Sequence, residues 1–220
     1  MTEALTLAID ASTYQGTVAV IAGERVIATS EVAMRGEREE RLMPAIAAAL
    51  GDAGATVRDL DRVVAGAGPG SFTSLRIGAA LAKGICTATG IPLAAVPSLA
   101  LLVAGAEQVM PDGRYLAILD AMRGDMYASL VEAAGGFVIS VDDPWLLPRA
   151  SVPALAARHG ATVVGLGEAV DAAPHARGVA RMASALVRGA SLDSWEPAYG
   201  RLAEAQVKWE AEHGRPLAAG

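Results

Sequence analysis

The residues best placed to do chemistry are few. Asp10 closes an apolar run, Leu5 to Ile9, and is followed by Ser12 and Thr13 in a polar turn. A carboxylate at a strand end with hydroxyls beside it can organise magnesium and a phosphate. The same side chains also bond turn amides well, and that reading stands beside the first. Residue 11 is alanine, where close approach of backbone to a phosphate favours glycine. The second candidate is the run Gly66 to Phe72, in which Gly68, Gly70, Ser71 and Phe72 form either an anion-binding nest at a helix start or a plain tight turn. Ser71 is a suitable helix N-cap.

Other chemistries lack their residues. His159, His175 and His213 lie far apart in different elements, without metal-site spacing, and are expected at the surface. Cys86 is the single cysteine, so no intrachain disulfide forms; it reads as a small buried residue, not a catalytic thiol. Gly78 to Lys83 lacks the second glycine of a phosphate-binding Walker loop, and the glycines at 66, 68 and 70 miss a dinucleotide fingerprint. A net charge of −6 argues against a basic nucleic-acid grip. Hydrophobic residues at 53% and charged residues at 19% describe a globular chain of one large or two small domains. Glu3 and Asp10 fall where a signal peptide would be basic, then apolar, and the window Pro92–Gly105 is too short to span a bilayer, so a cytoplasmic protein without membrane contact is expected.

The elements that must hold these residues follow from periodicity. Strands are expected at 5–9, 17–22 and 25–32, a helix at 37–50 with Pro44 forcing a late start or a kink, a strand at 61–65, a helix at 72–89, a strand at 92–96 and a helix from Ser98 to about Gln108. This βββαβαβα order predicts a mixed sheet with helices on its faces. Pro111-Asp112-Gly113 marks a boundary between a first half, 1–110, and a smaller second half, 111–199. Leu7-Ala8-Ile9-Asp10-Ala11 is echoed by Leu116 to Ala121, each followed by a polar turn and another strand, which points to an internal duplication. The second half continues with strands at 127–131 and 137–141, a helix at 151–159, a strand at 162–165 and a helix near 176–188; a last helix, 201–212, closes the chain. On the helix at 37–50, Leu42 and Ile46 form an apolar stripe; small residues (Ala79, Ala82, Cys86, with Gly78 beside them) line the helix at 72–89. Core packing accounts for either stripe alone; together they exceed what one sheet face covers, which marks a partner surface.

These segments resemble the TsaB (YeaZ) family. The match runs through Gly68 to Thr73, Leu75 to Gly78 and Ala82 to Gly84, similar to its GPGSFTGLRIG…AKG signature, and through Ile9 to Ser12, Ile91 to Leu93 and Val96 to Leu99. Asp120 to Tyr127 resembles its DARRGEVY-like hairpin, and Glu196 to Tyr199 its C-terminal end. Ser74 stands where the family has glycine and Met122 where it has arginine; Arg38 lies near a usual His-Ser. The resemblance implies an α/β, actin-like ATPase (ASKHA) fold of two similar βββαβα halves, mixed sheets flanked by helices. It implies a subunit with no catalytic residues and no metal, assisting the catalytic paralogue TsaD in making threonylcarbamoyladenosine beside the tRNA anticodon. TsaD would meet the first-half helices, at Arg41, Leu42, Ala45, Ile46, Ala49, Leu75, Gly78, Ala79, Ala82 and Cys86. It further implies a homodimer when alone, the ATPase TsaE as another partner, tRNA contacted only through the complex, no required cofactor, and ATP or ADP near the subunit junction. The segment 200–220 would pack back on the first half. The alternative from the residues themselves is a free-standing ATP-dependent kinase or ATPase using Asp10.

Overall fold

Alternation of large and small apolar residues along the first strand dictates two cores, one on each side of a sheet. A computed structural model describes residues 3–34, 40–200 and 213–214. In β1 (Leu5–Asp10), Leu7 and Ile9 point to one core and Ala8 to the other. β1 pairs antiparallel with β2 (Gln15–Ala22), which pairs antiparallel with β3 (Arg25–Ala33); β4 (Arg62–Gly66) and β5 (Leu93–Val96) add in parallel on its other side. α1 (Leu42–Asp52) and α2 (Phe72–Thr89) cover the Leu7/Ile9 face. Pro44 falls in the first turn of α1, where no intrahelical N–H is needed, so the helix starts late. The expected start at residue 37 lies in 35–39, outside the described residues.

α3 (Ser98–Ala104) is shorter than expected, and all seven of its residues are buried. Its core joins Ala8, Ala19, Ile21 and Val64 of the first sheet to Tyr115, Ala117 and Leu119 of the second. That second sheet holds β6 (Gly113–Asp120), β7 (Asp125–Ala134), β8 (Phe137–Val141), β10 (Thr162–Gly165) and β11 (Val170–Asp171), with β9 (Trp145–Pro148) paired to the start of β7. α4 (Val152–His159) covers its far face through Leu116, Ile118, Met126 and Ala128. The layers are therefore α1/α2, sheet, α3, sheet, α4.

The two sheets repeat one order. The first runs β5-β4-β1-β2-β3 and the second β11-β10-β6-β7-β8, so β6 occupies the place of β1, as the Leu-Ala-Ile echo predicts. This is the actin-like fold of two similar halves. One expectation fails in the second half. The helix near 176–188 is instead a 3₁₀ segment, Ala176–Arg181, a shorter one, Ser184–Leu186, and β12 (Arg188–Ala190), which returns to pair antiparallel with β5. A tertiary contact explains it: a Cβ on Gly178 would lie 2.6 Å from the Gly105 amide nitrogen, so this segment is pressed against the end of α3. The helix expected at 201–212 lies outside the described residues.

Candidate functional site

Asp10 sits at the carboxyl end of β1 and is 1% exposed. One carboxylate oxygen accepts the Ser12 amide at 3.0 Å and the Ser12 hydroxyl at 2.6 Å. The other accepts the Ser98 hydroxyl at 2.6 Å, whose oxygen in turn accepts the Gly68 amide at 3.0 Å. A buried carboxylate needs such donors, and here side chains and backbone of the chain supply them. A Cβ on Gly66 would fall 1.9 Å from the Asp10 carboxylate, so glycine is what allows β4 to run beside it. Thr13 is spent in its own turn: its hydroxyl donates to the Gln15 carbonyl and accepts the Gln15 amide.

The glycine run closes onto this same turn. Ser71 donates its amide to the Ser12 carbonyl at 2.7 Å, and a Cβ on Gly70 would lie 2.0 Å from that carbonyl oxygen. The Gly68 carbonyl accepts the Ser98 amide at 3.1 Å. Amides that would cradle an anion in a nest, those of Gly68 and Ser71, point at protein acceptors. Ser71 is the N-cap residue of α2 but its side chain makes no cap bond; its hydroxyl meets that of buried Ser74 at 3.0 Å. Ser74 thus fits without pushing the helix away. Phe72, half-buried, carries the Arg76 guanidinium 5.3 Å from its ring centre. The methyl of Ala11, at the position where glycine would suit a phosphate, lies 3.1 Å from where a Gly78 Cβ would be, so α2 itself takes that space.

The expected interface residues divide sharply by exposure. Leu42, Ala45, Ile46 and Ala49 of α1, and Leu75, Gly78, Ala79, Ala82 and Cys86 of α2, are all buried in the chain's own core. The sheet face covers both stripes, and the surplus inferred from sequence does not arise. Burial also pushes the Cys86 thiol up. Only Arg41, at the start of α1, is exposed. The outward faces carry Met43, Ala47, Ala48 and Gly51 on α1 and Thr73, Arg76, Ala80 and Gly84 on α2.

His175, expected at the surface, is 4% exposed. Its Nε2 lies 3.0 Å from a Glu31 carboxylate oxygen and its Nδ1 accepts the Arg177 amide at 3.0 Å, while the next amide, of Ala176, donates to the Thr17 hydroxyl. Burial first, then the Arg177 charge, holds the imidazole below its ordinary 6.5, against the pull of Glu31 and Asp10. The signal in sequence was faint, a histidine between Pro174 and Ala176 in an otherwise apolar stretch. The Asp120–Tyr127 hairpin turns through Met122 and Arg123, both with left-handed backbone (φ 63° and 59°), and borders an open cavity of about 560 Å³. Among the described residues no cluster of three or more His, Cys, Asp or Glu could hold a metal, and no helix is long and apolar enough to cross a membrane.

The model of one family, TsaD: tRNA N6-adenosine threonylcarbamoyltransferase, matches residues 30–143. The chain is similar to the tRNA threonylcarbamoyladenosine biosynthesis protein TsaB of Bacillus subtilis, 36% identical over 135 residues that make 61% of this chain and 58% of that one. With TsaB of Escherichia coli the identity is 34% over 121 residues, 55% of this chain and 52% of that one. The matched segments span only a little over half the length of these curated relatives. Among solved structures, YeaZ from Pseudomonas aeruginosa superposes with a TM-score of 0.72 at 24% identity, over 89% of this chain and 99% of that one, a likeness of fold.

Proposed function

Since the chain belongs to the TsaD threonylcarbamoyltransferase family and resembles TsaB (YeaZ) within it, we propose that it is a non-catalytic partner of the TsaD transferase in tRNA threonylcarbamoyladenosine biosynthesis. One observation carries the non-catalytic part of this reading. Both oxygens of Asp10 and the amides of Gly68 and Ser71 are engaged by bonds within the chain, which leaves fewer groups for magnesium and nucleotide than a working phosphate site would present. The same bonds favour the accessory reading over a free-standing ATPase using Asp10.

Helix-mediated pairing then falls to the outward faces of α1 and α2, with their exposed small and apolar residues, and not to the buried stripes. In this reading TsaD meets these faces, a second copy of the chain occupies them when TsaD is missing, and TsaE joins the complex as the ATPase. Any ATP or ADP sits at the junction between subunits, and tRNA is reached only through the complex, in keeping with a net charge of −6. The chain would work in the cytoplasm.

The test is an omission assay: tRNA, threonine, bicarbonate and ATP with the other pathway proteins, with and without this chain. The expected result is modified tRNA only when the chain is present, and none from the chain alone. Equal product on omission would overturn the proposal.

A further inference from the structure

We propose that the segment Pro197–Gly200 is a strap through which the second sheet positions the first turn of α2, and that Tyr199 is its positioning residue. The path is unbroken. Ala198 donates its amide to the Ala67 carbonyl at 2.7 Å, so the strap lies across the glycine run as an added backbone partner. A Cβ on Gly68, whose φ is 82°, would lie 2.4 Å from the Ala198 carbonyl oxygen. The Tyr199 ring packs on Phe72, the first residue of α2, with centroids 4.7 Å apart and planes tilted by 53°, a favourable edge-inclined pair. Arg76, one turn on, caps the Phe72 ring. At its far end the strap reaches β7: a Cβ on Gly200, whose φ is 75°, would lie 2.4 Å from the Tyr127 hydroxyl oxygen.

A left-handed glycine without room for a side chain therefore marks the close approach at each end of the strap, Gly68 beneath Ala198 and Gly200 of the strap itself against Tyr127 of the second sheet. Burial and the Glu196 charge push the Tyr199 hydroxyl up, against the pull of Arg76. The orientation of α2 matters because its outward face is the surface assigned to the transferase, and to that extent the inference rests on the proposed function.

The experiment compares wild type with Tyr199→Ala and Tyr199→Phe by amide hydrogen exchange and by titration with purified TsaD. Expected for Tyr199→Ala is a loss of protection of about tenfold or more confined to the Ser71 and Leu75 amides, which bond Ser12 and Ser71 carbonyls. TsaD affinity should fall by a similar factor, and Tyr199→Phe, which keeps the ring, should restore both. Unchanged protection at those amides, or a loss spread evenly over the chain, would overturn the strap. So would TsaD binding equal to wild type in Tyr199→Ala. If wild type itself fails to bind TsaD, the proposed function falls, while the exchange arm still decides the strap.

Discussion

At Asp10 the choice between ligand and turn residue comes down to which donors reach its oxygens. Ser12 lies two residues away and is visible in the sequence; Ser98 lies 88 residues away, and only the fold brings it in. His175 shows the same limit more strongly, because its acceptor Glu31 is 144 residues distant on β3. That histidine leads to a pH prediction. Its neutral form donates from Nε2 to Glu31 and accepts at Nδ1 from the Arg177 amide, an acceptor that protonation removes. Its folded pKa is lowered from 6.5, so between the two values the unfolded chain binds the proton and the folded chain does not. The stability tied to neutral His175 is therefore full above about pH 6.5 and is lost as pH falls below it. Urea unfolding at pH 7.5 and 5.5 should give a lower midpoint in acid. His175→Asn, whose carbonyl can still accept the Arg177 amide, should reduce that difference. An equal pH dependence in the two proteins would count against this assignment.

At the scale of elements, α1 and α2 each have one face that holds the fold and one that does not. Ile46 is wholly buried, and Ile46→Ala should cost about 2–5 kcal/mol of unfolding free energy. Ala82→Glu, at 0% exposure, should prevent folding outright. Gly84→Glu should leave stability within about 0.5 kcal/mol, since its Cβ would have no neighbour within 4 Å, and yet should weaken TsaD binding; unaltered binding in a titration would remove α2 from the interface. The contrast also shows what was legible. α2 was readable to the residue, Phe72–Thr89, because a glycine run precedes it and Gly90, left-handed at φ 76°, ends it. Which of its faces looks inward was not, as small residues line both. The helix expected near 176–188 failed because its helical period is local, while the close approach of Gly178 to Gly105 is not. β9 was missed since Trp145-Leu146-Leu147-Pro148 is short and ends in proline, and its pairing with β7 depends on a hairpin-like return that no local signal announces.

For the whole molecule, the repeated strand order suggests two units each able to stand alone, but α3 argues otherwise. Its seven residues are buried because the first sheet lies on one side and the second on the other, in one shared core. Leu99, Leu101, Leu102 and Val103 are each at most 1% exposed, and burial of a side chain of that size stabilises by about 1.5–3 kcal/mol. The chain then returns to the first half after the second sheet. Arg177 and Arg181 donate to the carbonyls of Gly105 and Ala106 at 2.7 Å, and β12 adds an antiparallel edge to β5. A fragment of residues 1–110 would lose that edge strand, both arginine contacts and the cover of α3, and would expose an apolar helix to water. Set against a net stability of about 5–15 kcal/mol for a typical domain, the loss is decisive. The fragment should show no cooperative urea transition by circular dichroism and should aggregate, whereas the full chain should unfold in one transition with coincident signals from Trp195, near the first core, and Trp145, on β9 of the second sheet. Two separated transitions in the full chain, or a cooperatively folded fragment, would mean that the shared α3 core does not couple the halves.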